Sequence, residues 1–149
     1  RVSSSAASDV YKRQTDANSA RLCLEQTNAS GLMIGRAAIG RPDVFAQIKV
    51  GLGWMEKEEL PWVSQYEGEW DTLSETSQAF ASRRWCWDRY ITLCRETTGL
   101  AKQTMQRHAI AFSKGLPGAK SVRTLMHELT DVNESAQAIS EFLKPISEG

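Results

Sequence analysis

Leu32-Met33-Ile34 is the short, continuous apolar run in this chain that reads as a β-strand. It lies between the turn Asn28-Ala29-Ser30-Gly31 and Gly35, with helical patterns on either side. A run that is apolar at every position, not every second one, suits a strand covered on both faces in a parallel sheet. One strand cannot form a sheet, because its N–H and C=O groups need neighbouring strands. The chain is therefore expected to be mainly α, with a single αβα unit whose sheet partners it does not contain.

The N-terminal helix of that unit is expected from a cap at Asp16 or Asn18 to about Thr27. Ala20, Leu22, Cys23 and Leu24 supply its apolar positions. After Gly35, helical turns carry Ile39, Val44, Phe45 and Ile48 as core candidates. Pro42 suits a helix first turn, and Asp43 adds favourable charge there. The next stretch, 54–73, holds Trp54, Trp62, Tyr66 and Trp70 among acidic residues. It reads as a connector packed through its aromatics. A base-stacking platform is the alternative, opposed by the surrounding negative charge.

From Ser74 the period is helical to the end, giving four helices near 74–97, 100–114, 119–129 and 132–143. Phe80, Cys86, Trp87, Tyr90, Ile91 and Cys94 fall in one arc of the first. Ala101, Met105, Ala109 and Phe112 share a face of the second, and Val122, Leu125, Met126 and Leu129 point inward from the third. Asp131 and Glu134 form a capping-box-like pair for the fourth, with Ala136, Ile139 and Leu143 as its core. Short links between them suggest a four-helix bundle over residues 74–149.

The formal charge is zero, but it is segregated. Glu56 to Glu75 holds seven acids and one base, and Arg83 to Arg123 holds nine bases and two acids. The last segment, from Thr124, holds five acids and one base. A basic block between acidic ones suggests a polyanion-binding surface; ordinary solvated helix faces are the plainer reading. The three cysteines, Cys23, Cys86 and Cys94, show no CxxC spacing and read as reduced thiols of a cytoplasmic protein. Neither His108 nor His127 stands at a ligand spacing from a cysteine, so no metal is expected. No run is long and apolar enough for a membrane span.

Gly35-Arg36 is the first candidate site. A strand ending in glycine lets a phosphate approach the backbone, and the following N–H groups can hold its charge. A plain strand-to-helix turn is the simpler reading. Arg107, His108, Lys114 and Arg123 are the second group. Solvation explains the three cations, and half-buried packing explains His108, which sits at the edge of an apolar face.

Ala29 to Pro42, reading ASGLMIGRAAIGRP, together with Arg107-His108 and Lys114-Gly115-Leu116-Pro117-Gly118-Ala119, resembles the C-terminal part of the tRNA-dihydrouridine synthase family. The resemblance implies that 15–53 is the last αβα portion of a truncated (β/α)₈ FMN barrel. It makes 54–73 a connector and 74–149 a helical tRNA-binding domain. Gly35 and Arg36 would then bind the FMN phosphate, and Arg107, His108, Lys114 and Arg123 would contact tRNA. NADPH would reduce FMN, whose hydride goes to C6 of a flipped-out uridine while a cysteine protonates C5. None of Cys23, Cys86 and Cys94 matches the catalytic cysteine's place, so no catalytic residue is expected in this chain, which alone would be inactive. The parent would be monomeric. Arg41 departs from the pattern, which usually has a non-basic residue there. Residues 1–14 resemble a translated sequencing-adapter junction and are set apart as a non-native leader. A non-enzymatic helical RNA-binding module and a helical interaction protein are the rival readings. Trp85, off the apolar arc, suits either packing or nucleotide stacking.

Overall fold

The structure, a computed structural model, describes residues 16–146; the leader 1–14 lies outside them. The chain opens with α1 (Ala17–Thr27). Its start is fixed reciprocally: the Ser19 N–H donates to Asp16 Oδ1 at 2.8 Å, and the Asp16 N–H donates to Ser19 Oγ at 3.3 Å. Asn28 closes the helix in the left-handed conformation, φ 51°. Ala20 and Cys23 are buried, but Leu22 is 54% exposed, against expectation. Two residues is about 200° of helical turn, so Leu22 faces away from Ala20.

The expected strand does not form: no strand is present among the described residues. Leu32 and Ile34 lie half-buried against Ala20, Val44 and Ile48, while Met33 between them is 65% exposed. The segment covers one side only, because no neighbouring strand offers a hydrogen-bond ladder or a second apolar layer.

A 3₁₀ turn, Arg36–Ala38, leads to α2 (Val44–Gly51), whose N-cap is Asp43; Pro42 thus precedes the cap instead of entering the first turn. Val44 and Ile48 are buried, whereas Ile39 and Phe45 are 63% and 46% exposed. Both line an open cleft against the next unit. Helices α1 and α2 pack together.

Two further 3₁₀ turns, Lys57–Glu59 and Trp70–Thr72, flank the short α3 (Pro61–Ser64). Trp62 and Trp70 are buried in the main core with Leu60, while Trp54 is 61% exposed. A stacking platform needs exposed ring faces, so the buried pair does structural work. Trp85 also packs: its ring meets Trp62 edge-on at 5.9 Å, and its Nε1 donates to Gln65 Oε1 at 3.0 Å.

The remaining chain is α4 (Glu75–Glu96), α5 (Lys102–Ser113), α6 (Ala119–Glu128) and α7 (Val132–Phe142). Ser74 caps α4, and Asp131 caps α7 by accepting from the Glu134 N–H at 2.9 Å. Helix α4 packs on α5 and α7, and α6 packs on the same two. Trp87 sits fully buried at the centre, its ring 5.3 Å from Phe112 and 5.4 Å from Tyr90. Its Nε1 donates to the Ala136 carbonyl at 3.0 Å, so burial leaves no orphan donor. Met105, Ala109, Val122, Ile139 and Leu143 complete the core. Each large apolar side chain buried there contributes roughly 1.5–3 kcal/mol of transfer free energy. Ala101, expected on the same face, is exposed because it is the N-cap of α5 and lies before the helix.

Gly40 joins the two units. At φ +76° it adopts a conformation that disfavours side chains, and a Cβ there would collide with the Ala111 backbone. Only glycine lets this loop lie directly on α5.

Candidate functional site

The C-terminal half of α5, the turn that follows and the N-terminal half of α6 enclose a groove of about 550 Å³. Arg107, Lys114, Lys120 and Arg123 line it, with Ala111 and Gly115 in its wall. The local sequence explains the shape. Lys114 ends α5, and Gly115 and Gly118 both take positive φ, reversing the chain within a few residues. Gly118 then caps α6. Arg107 and Lys114 are seven apart, two turns on one face of α5; Lys120 and Arg123 are three apart on α6.

All four cations are exposed, and among the described residues none pairs with an acid. The N-terminus of α6 opens at the same place, and the positive end of its dipole adds partial charge there. A surface with four unpaired cations beside a helix N-terminus attracts a polyanion.

Arg107, Lys114 and Arg123 are thus brought together. His108 is placed elsewhere. It points to the other side of α5, where its Nδ1 hydrogen-bonds the Tyr90 hydroxyl at 2.7 Å and the rings meet edge-on at 5.0 Å. It lines the apolar cleft of about 690 Å³ between α2 and α4, with Phe45, Trp85 and Tyr90. Burial raises the Tyr90 phenol to about 12, assisted by its hydrogen bond with Cys94.

Gly35 and Arg36 are both exposed, and nothing lies within 4 Å of the place a Gly35 side chain would occupy. Open approach to the backbone, followed by an exposed guanidinium, fits the phosphate end of a cofactor. The loop continues to Gly40 against Ala111, itself in the groove wall, so the two candidate sites share one support.

Below that loop lies a buried charge cluster. Asp43 and Arg83 are 1% and 6% exposed, and Arg83 Nε stands 3.8 Å from Asp43 Oδ1. Asp43 Oδ2 accepts from Gln47 Nε2 at 2.8 Å and stands 3.6 Å from Arg41 Nη2. Burial lowers the Arg83 pKa, and the Asp43 charge opposes that shift. The departure at Arg41 therefore has a local use: it supplies a second cation to a buried carboxylate.

Cys86 lies beside this cluster. Burial first, then the Asp43 charge, push its thiol up to about 12. The group stays protonated and inert at neutral pH. Cys23 is also buried, and Cys94 is half-buried. Among the described residues no group of three or more His, Cys, Asp or Glu could hold a metal ion, and no helix is long and apolar enough to cross a membrane.

Two features are missing from the expected site. Lys120 carries a local signal, its place in the basic block three residues before Arg123. The Asp43–Arg83 pair spans forty residues and has no local signature.

A family model described as dihydrouridine synthase matches residues 13–147. A Rhodobacter capsulatus protein named probable tRNA-dihydrouridine synthase is 41% identical over 68 residues, 46% of this chain and 20% of that protein. The chain thus spans about a fifth of the length of the curated relative it matches. No solved structure matches it.

Proposed function

The chain belongs to the dihydrouridine synthase family, and from that premise we propose that it holds tRNA and anchors the flavin phosphate in an enzyme that reduces uridine to 5,6-dihydrouridine. The observation that carries this reading is the groove in which Arg107, Lys114, Lys120 and Arg123 stand unpaired over the N-terminus of α6. Contacts of this kind position a nucleic acid without reading its sequence.

In this reading, residues 15–53 are the last portion of a (β/α)₈ barrel. Leu32-Met33-Ile34 becomes a strand when neighbours from the rest of that barrel complete the ladder. Gly35 and Arg36 hold the phosphate of FMN. When bound, the flavin supplies hydride transfer between NADPH and the pyrimidine C6. This chain's part in the reaction is to bind and orient: the backbone after Gly35 and the Arg36 guanidinium neutralise the cofactor phosphate, and the groove presents the RNA. In this reading the proton for C5 comes from a cysteine on another part of the barrel, and no acid role is given to Cys23 or Cys86, which are buried, or to Cys94, which lies in the helical unit. The free thiols suit the cytoplasm, and the parent enzyme works as a monomer.

An electrophoretic titration of the 149-residue chain with unmodified tRNA tests the RNA reading. Four phosphate contacts imply about 100-fold weaker binding at ~200 mM than at ~50 mM salt. No binding, or equal binding at both, overturns it. The same protein should not oxidise NADPH with uridine in tRNA as acceptor; turnover would refute placement of the acid outside the chain.

A further inference from the structure

Arg83 has a use beyond neutralising Asp43. Its Nη1 donates to the Phe112 carbonyl at 2.7 Å and to the Lys114 carbonyl at 3.4 Å. These groups belong to the last turn of α5, where carbonyls lack helical partners and carry the negative end of the dipole. A cation delivered from α4 thus closes α5 from outside. The acceptor residue Lys114 is itself a member of the basic groove.

The same guanidinium stands beside Asp43. The carboxylate is buried, and its Oδ1 has no hydrogen-bond partner, so its contact with Arg83 Nε at 3.8 Å is electrostatic. Asp43 stands just before α2, at the end of the loop that begins at Gly35-Arg36. One line of contacts therefore runs from that loop through Asp43 and Arg83 to the backbone of Lys114.

We propose that Arg83, held by Asp43, is a positioning residue for RNA binding. It fixes the Phe112–Lys114 backbone so that the Lys114 ammonium stands in the groove with Arg107, Lys120 and Arg123. The phosphate turn and the RNA groove are thereby held in a fixed relation. This rests on the RNA reading of the groove given above. Arg83 touches no RNA; it acts through Lys114.

The test is the salt dependence of tRNA binding by the full 149-residue chain, a readout that a mere loss of stability leaves unchanged while the protein is folded. Lys114→Ala should lower the slope of log Kd against log salt by about 0.9, or about eightfold in affinity near 0.1 M. Arg83→Met should reproduce that loss, and the double variant should be no weaker than Arg83→Met alone. Arg83→Lys, which keeps the charge, should recover part of it. A wild-type slope in Arg83→Met, with a reduced slope in Lys114→Ala, overturns the proposal. If Arg83→Met does not fold, Asp43→Asn with Arg83→Met removes both buried charges and takes its place.

If the wild-type chain binds no tRNA, the RNA reading fails by itself. The positioning claim is then decided by the backbone amide resonances of Lys114 and Gly115. They should shift in the Arg83 variant, and unmoved resonances overturn it.

Discussion

Removing Arg107, Lys114 and Arg123 together should nearly abolish the electrostatic part of tRNA binding, whereas removing His108 should leave it intact. The geometry sets the magnitude. Four exposed, unpaired cations line one groove. Each phosphate contact contributes about 0.9 to the slope of log affinity against log salt, so the wild-type slope should be near −3.6. Arg107→Ala, Lys114→Ala and Arg123→Ala in one chain leave Lys120, and the slope should fall to about −0.9. Near 0.1 M salt, three lost contacts weaken binding by about 500-fold. All three side chains are exposed, so their truncation should change stability by only about 0.5 kcal/mol each.

His108→Ala is the internal control. Its ring is committed to the Tyr90 hydroxyl at 2.7 Å on the far side of α5. Losing that bond should cost about 1 kcal/mol of stability and leave the salt slope unchanged. Fluorescence anisotropy with labelled tRNA at four salt concentrations, beside a urea melt of each variant, separates the two effects. A wild-type slope in the triple variant would refute the groove. An equal slope loss in His108→Ala would refute the division of the two faces.

Two further outcomes follow from the join between the units. Gly40→Ala places a Cβ against the Ala111 backbone at φ +76°, and should cost at least ~1–3 kcal/mol in a urea melt; a change below about 0.5 kcal/mol would show that the loop does not lie on α5. The Cys86 thiol is raised to about 12 when folded, above its ordinary value of 9.0, so the unfolded chain loses this proton first as pH rises. The stabilisation is full below about pH 9 and is lost as pH climbs towards 12, at no more than about 1.4 kcal/mol per pH unit. Cys86→Ala should flatten that decline, and an unchanged alkaline profile would rule out the thiol as its source.

The helices were legible because their signals are local. Asp16, Ser74 and Asp131 each cap the helix they precede, and the apolar arcs of α4 to α7 found their buried partners. The failures share another cause. Leu32-Met33-Ile34 has the composition of a buried strand, yet a strand is a relation between segments, and among the described residues the relation is missing. Ile39 and Phe45 are apolar core candidates and remain exposed for a similar reason: the cleft they line is open. Periodicity reports which face wants cover, not whether cover is present.

The site divides along the same line. Arg107, Lys114 and Arg123 could be grouped because seven-residue spacing on one helix and a glycine turn bring near neighbours in sequence to one surface. His108 follows Arg107 directly, and that adjacency is what separates them. One step along a helix turns about 100°, and here that step carries His108 round to Tyr90 and away from the groove. Arg83 and Asp43 pose the opposite problem, since their pairing depends on a loop crossing α5 at Gly40. In the sequence Asp43 reads as favourable charge at a helix start, and it does stand at the N-terminus of α2. Its burial, and the Arg83 guanidinium it holds beneath Lys114, arise only once two separately legible units are packed together. The groove cations are therefore written in local spacing, and the groups packed beneath them are written in the packing.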